Sequence, residues 1–98
     1  MMFAIQHKFK EDVADIRVEA RPKHIKYLTS AGDRLKMAGP MMVNDTGDEP
    51  SGSLIVIDAD SQRAAELFAE NDPYVLSEMV ESTTVQRFIG AIGEWIGE

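Results

Sequence analysis

Two histidines, His7 and His24, and a carboxylate set before a proline, Asp72, are the residues of this chain best suited to chemistry. Imidazole is the side chain whose ordinary pKa lies near neutrality, so it exchanges protons under physiological conditions. A carboxylate beside it holds the ring in one tautomer and favours the charged form. His24 stands in "RPKHIKYLTSAG" and Asp72 in "AENDPYV", so only folding brings them together. Asp72 also has a simpler role, because an Asp before Pro caps a helical turn. One carboxylate oxygen is expected to cap while the other meets a histidine or a substrate hydroxyl. For His24 the residues leave two readings open: an acid–base group at the edge of a cleft, or a ring packed beside the sheet and bonded to backbone. His7, between Ile5 and Phe9, reads as a polar residue on a half-buried or interfacial face.

The other candidates are supporting groups. Arg21 is suited to an anionic group at a cleft mouth, or to an exposed ion pair. Gly39-Pro40 fits a cleft floor, since Gly permits close backbone approach and Pro stiffens the chain; it fits a bulge or sheet edge equally well. Ser53 is a hydrogen-bond donor without the sharp turn that marks a hydrolase nucleophile. Tyr74 and Phe68 supply apolar walls or ordinary packing. Asp45, Asp48 and Glu49 lack the ligand spacing of a calcium loop. Two isolated histidines make no zinc pattern. The glycines of "AGPMMVNDTGDEPSGS" are not the phosphate-cradling kind. Neither a metal nor a cofactor is expected. With no activated nucleophile, proton transfer suits these residues better than hydrolysis.

These groups must be carried by a small scaffold. The chain has 98 residues, enough for one domain and one modest core. Seventeen acidic side chains against ten basic give a net charge of −7 without a basic cluster. Neither nucleic acid nor an anionic membrane surface is an expected partner, because both reward concentrated Lys and Arg. There is no cysteine, which excludes disulfides and thiol chemistry. "MMFAIQHKFK" is too short an apolar run for a signal or a membrane span, so the expected compartment is the cytoplasm.

Period-two alternation in "MFAIQHKF" predicts a strand with Phe3, Ile5, His7 and Phe9 on one face. "KEDVADI" reads as a loop. A helix is expected from near Arg21, with Pro22 in its first turn, His24, Tyr27, Leu28 and Ala31 along one side, and Gly32 as its stop. His24 would then feel the helix N-terminus, which disfavours a positive ring. "RLKMAGPMM" and "SLIVID" read as strands joined across the loop "VNDTGDEPSG". "DSQRAAELFAEN" reads as a helix capped by Ser61 or Asp60, with Ala64, Ala65, Leu67 and Phe68 inward. Asp72 opens a short turn, and "STTVQRFI" is the last strand. The order βαββαβ predicts an α+β two-layer sandwich with both helices on one face. The uncovered face retains apolar positions, which predicts a homodimer packed sheet to sheet. "GAIGEWIGE" is expected to fold back or to reach the partner.

Across roughly residues 2 to 89, "RPKHIKYL", "AGPM", "SGSLIVIDADS" and "AENDPYV" together resemble the YciI-like family, related in fold to muconolactone isomerases and other dimeric α+β barrels. The resemblance implies a single ferredoxin-like domain, with residues 90–98 as a C-terminal extension, and a dimeric α+β barrel. It also implies a cleft whose catalytic pair matches His24 and Asp72, with Gly39, Pro40 and Ser53 nearby. The "NDTGDEP" loop and the chain after Phe88 depart from the family pattern and bear on cleft size, the dimer edge and higher assembly. The leading expectation is a cofactor-free enzyme using the His–Asp pair for elimination or isomerisation of a small organic molecule. The alternative is a non-catalytic small-ligand-binding or accessory dimer.

Overall fold

The computed structural model describes residues 1–96; the last two residues of the expected 90–98 extension lie outside the described residues. Strand β1 (Met2–Phe9) leads to helix α1 (Ala14–Thr29), a short 3₁₀ turn (Gly32–Arg34) and strand β2 (Leu35–Met42). Strand β3 (Pro50–Asp58), helices α2 (Gln62–Glu70) and α3 (Pro73–Leu76) and strand β4 (Val80–Arg87) complete the chain. The strands form one antiparallel sheet in the order β2-β3-β1-β4, the ferredoxin-like arrangement. The helices cover one side of it.

Alternation in β1 decides which side. Phe3, Ile5, His7 and Phe9 are all buried, while Gln6 and Lys8 are exposed. Residues in register with them continue the inner face: Ile57 beside Phe3, Ile55 beside Ile5, Ser53 beside His7. Fully burying side chains such as Ile5, Ile55 and Ile57 stabilises the fold by about 1.5–3 kcal/mol each.

Helix α1 begins seven residues earlier than the sequence suggests. Asp12 takes a left-handed φ of 57°, which an Asp tolerates, so β1 turns into α1 within a few residues. Pro22 therefore lies inside the helix rather than at its start. Its missing N–H leaves the Val18 carbonyl without its helical donor. Val18 is exposed, so water satisfies that group. His24 is well inside the helix, and the expected influence of the N-terminus on its charge falls away. The helix ends at Thr29, and Gly32, at φ 63°, starts the 3₁₀ turn instead of stopping α1.

Ser61 caps α2, its Oγ accepting the Ala64 N–H at 3.0 Å. Ala65 and Ala69 face the sheet, whereas Ala64 and Leu67 are exposed, against expectation. Small residues four apart let the helix lie close on one narrow stripe, so its flanks stay in water. Strand β3 begins at Pro50 rather than Ser53, and β4 begins at Val80. Asn44 Oδ1 closes the loop between β2 and β3, accepting from the backbone of Thr46 and Gly47.

The interior is divided. One apolar cluster gathers Phe3, Ile5, Leu28, Ile55, Ile57 and Ala65 and Ala69 of α2. A second gathers Phe9, Ala20, Tyr74 and Met79. Along β1, His7 falls between them; along α1, His24 falls between Ala20 and Leu28. Sequence spacing thus delivers two imidazoles to one polar layer in the middle of the core. On the opposite face of the sheet, residues 92–96 and Phe88 border a hollow of about 450 Å³ over Ala4, Met37, Leu54 and Val56.

Gly52 lies where β3 passes β1, and a Cβ there would collide with the His7 carbonyl oxygen. Gly39, for which close approach and a sheet edge are equally open readings of the sequence, lies on the edge strand β2 with nothing within 4 Å of an added Cβ. Gly52→Ala should cost about 1–3 kcal/mol in thermal or denaturant unfolding. Gly39→Ala should stay within about 0.5 kcal/mol of the wild type. Equal melting of all three proteins would contradict this reading of the strand contact.

Candidate active site

Asp72 is the N-cap of α3: its Oδ1 accepts the Tyr74 N–H at 2.9 Å, while Pro73 occupies the first helical position. Packing of α3 against α1 puts the same oxygen 2.7 Å from His24 Nδ1. The second oxygen, Oδ2, faces His7 Nε2 at 3.4 Å, and His7 Nδ1 is 2.8 Å from Thr83 Oγ1 on β4. One oxygen therefore does both jobs that were expected to be divided between two, and the other is turned to a histidine that reads as bland in the sequence. Asp72 is 0% exposed and does not border the cleft. It stands behind His24 as the centre of a buried His–Asp–His row.

Burial opposes charge on Asp72 and would raise its pKa, but the hydrogen bond from His24, the approach of His7 Nε2 to Oδ2, the charge His24 carries when protonated and the Tyr74 N–H outweigh it. The net effect lowers the pKa from 3.8 to about 2. The carboxylate stays ionised at neutral pH and orders the rings around it. Accepting at Oδ1 requires the proton of neutral His24 to sit on Nδ1, which leaves the Nε2 lone pair free. Nε2 has no hydrogen-bond partner among the described residues, and the ring borders a pocket of about 260 Å³. The ring stacks on Tyr74 with centroids 3.7 Å apart and planes 9° from parallel, and Phe9 meets Tyr74 edge-on. Burial raises the pKa of the Tyr74 hydroxyl, against the opposing charges of Arg17 and Arg21.

Besides His24, the expected residues Arg21, Gly39, Pro40, Ser53 and Tyr74 all border this pocket. Phe68 does not: it stacks on Tyr27, whose hydroxyl donates to the Phe68 carbonyl. Ser53 is 4% exposed and its Oγ has no hydrogen-bond partner among the described residues. Arg17, which falls between the expected loop "KEDVADI" and the expected helix start near Arg21, is on α1 and borders the pocket too. His7 and Arg17 are thus the additions. The alternation that groups His7 with Phe3, Ile5 and Phe9 was the available signal for one. Continuation of the Ala20–His24–Leu28 stripe back to Arg17 was the signal for the other. Among the described residues, no group of three or more His, Asp or Glu side chains is arranged so that it could hold a metal ion.

A four-stranded ferredoxin-like sheet whose helices enclose a His–Asp pair beside a pocket of about 260 Å³ is the class these features define. The chain belongs to the family of the YCII-related domain, whose model matches residues 1–89. Protein YciI of Escherichia coli is 33% identical over 94 residues, covering 90% of this chain and 96% of the relative; Protein YciI of Shigella flexneri matches equally. Among solved structures, 5-chloro-2-hydroxyhydroquinone dehydrochlorinase (TftG) of Burkholderia phenoliruptrix, in complex with 2,5-dihydroxybenzoquinone, superposes with a TM-score of 0.86. It is 26% identical, over 93% of this chain and 96% of that one. An antibiotic biosynthesis monooxygenase, 12% identical with a TM-score of 0.53 over 95% of this chain and all of its own, shares the fold.

The lowered pKa of Asp72 has a definite sign. As pH falls, the unfolded chain binds this proton first, so the stabilisation is complete above about 4 and is lost as pH drops through about 2. Asp72→Asn should lose on the order of 2 kcal/mol at neutral pH. The gap between the two proteins should close across that acid window in denaturant titrations. A gap independent of pH there would contradict an ionised carboxylate at this site.

Proposed function

We propose that this chain is an acid–base enzyme that acts on a small cyclic molecule by elimination or isomerisation, without a cofactor. The observation that carries the reading is the 2.7 Å contact between His24 Nδ1 and Asp72 Oδ1, which leaves Nε2 unbonded on a ring that borders the pocket. His24 Nε2 takes a proton from a substrate carbon, and the carbon–hydrogen electron pair becomes part of a new double bond. In an elimination that pair expels a leaving group; in an isomerisation the proton returns at another carbon. Asp72 stabilises the imidazolium formed at the halfway point, and His7 with Thr83 keeps Asp72 in place. Tyr74 backs the ring of His24, Gly39 and Pro40 form a wall, and Arg21 and Ser53 offer polar contacts. Support for elimination comes from the dehydrochlorinase that this chain resembles at 26% identity.

Incubation in deuterium oxide with halogenated hydroxyquinones, cyclic enones and unsaturated lactones tests the chemistry. NMR reads deuterium entering carbon positions, and ion chromatography reads halide release. His24→Asn should lower the turnover that is found by about 10²–10⁴-fold while the fold is retained. Undiminished turnover in that variant rejects the proton-transfer role. Binding of these compounds without exchange or release would make the chain a ligand-binding module instead.

We further propose that two copies pair through the outer faces of their sheets, with the C-terminal segment at the junction. Ile92 and Trp95 are 94% and 85% exposed above the apolar hollow on that face, more apolar surface than an isolated chain ordinarily leaves in water. No helix among the described residues is long and apolar enough to cross a membrane. Sedimentation at micromolar concentration should give twice the 10.9 kDa chain mass, and Trp95→Glu should shift the equilibrium toward single chains. A wild-type protein that sediments as one chain rejects the pairing.

A further inference from the structure

Arg17 and Arg21 both border the pocket that His24 opens into, and no Asp or Glu borders it. In a chain of net charge −7 this is a local reversal of sign. Neither guanidinium forms an ion pair among the described residues. The Arg17 side chain meets the Tyr74 hydroxyl, but its Nε is buried without a hydrogen-bond partner among the described residues, and so is Ser53 Oγ, on the strand opposite α1. A buried donor left unmet costs more than the bond it would make, and more again when it is charged. Two such donors at the edge of one pocket mark the place of a missing acceptor.

We propose that the pocket's ligand is a small cyclic oxyanion whose charge is held by Arg17, with the Ser53 hydroxyl as a second polar contact. The inference rests on reading this pocket as the substrate site and adds the class of substrate. Arg17 precedes His24 by seven residues, two turns and about 10 Å along the helix axis. A flexible guanidinium reaching part of that distance leaves room for one ring between itself and Nε2. Phe9, Leu28, Leu35 and Tyr74 supply the apolar sides for such a ring, and about 260 Å³ suits one ring better than two. A guanidinium binds best to a charge shared by two oxygens. A carboxylate on the ring meets that need with both oxygens; a vinylogous acid, in which ring enolate and a more distant carbonyl share the charge, offers the guanidinium one of its oxygens. Binding the anion at the far end places the reacting carbon beside His24, so Arg17 acts in recognition and orientation.

Equilibrium binding tests this without requiring turnover. Benzoate is compared with benzamide, and the enolate of dimedone with its methyl enol ether, by NMR titration of ¹⁵N-labelled protein. Wild type should bind at least one anion about tenfold to a hundredfold more tightly than its neutral counterpart. Which of the two anions does so separates carboxylate from ring oxyanion. Arg17→Met should erase the preference, Arg17→Lys should keep part of it, and amide shifts should centre on Arg17 and Ser53. His24→Asn should keep the preference, so a failure of the proton-transfer reading leaves this result standing. Equal affinity for charged and neutral partners in wild type overturns the proposal. So does a preference that survives in Arg17→Met, or the absence of saturable binding of either anion at millimolar concentration.

Discussion

A carboxylate with no access to water governs this structure. Asp72 is surrounded by donors from separate elements: His24 from α1, His7 from β1 and the Tyr74 N–H from the turn it caps. Burying a lone charge costs several kcal/mol, so these partners must arrive together for the fold to hold it. Removing one leaves the rest unmatched. The row therefore ties α1 and α3 to the centre of the sheet, and the contact that secures the fold also sets which nitrogen of His24 is left without a partner among the described residues.

The polar row survives because the apolar core is split around it. Phe3, Ile5 and Leu28 lie on one side, Phe9, Ala20 and Tyr74 on the other. The stack of Phe9, Tyr74 and His24 joins the second cluster directly to the imidazole and fixes the tilt of its ring. On the sheet, Gly52 lets β3 lie close beside His7, and Pro40 occupies the edge strand β2, where a missing N–H is tolerated. Small residues on the strands and a long helix above them leave a cavity rather than a closed interface. Membership of the YCII-related family and the close superposition with a dehydrochlorinase agree with a scaffold of this kind.

The two faces of the sheet have opposite characters. Toward the helices lies a buried anion with a cationic cleft beyond it. On the outer side lie Met37, Leu54 and Val56 with the terminal segment arched over them. Alternation in the strands produces this division, since one shift in register would exchange the two sets.

Much of this was legible in the residues. Period-two alternation placed His7 with the inner side chains of β1, spacing of three and four placed His24 in line with Leu28, and Asp-Pro marked the α3 cap. The start of α1 was not legible, because Pro22 reads locally as a first-turn residue and only packing of the Ala20–His24–Leu28 stripe carries the helix back to Ala14. Arg17 was hidden by the same error. Exposure of Leu67 escaped notice because an alanine stripe, not the largest apolar side chain, lies against the sheet. Local spacing is a property of the chain itself, so the sequence alone determined the strands, the approximate places of the helices and the alignment of His7 and His24 with inward-facing side chains. Only the tertiary structure decided that Asp72 stands behind His24 instead of in the cleft, that His7 shares it, and that Arg17 looks into the pocket. Those facts depend on distances between elements far apart in the chain, and no local periodicity contains them.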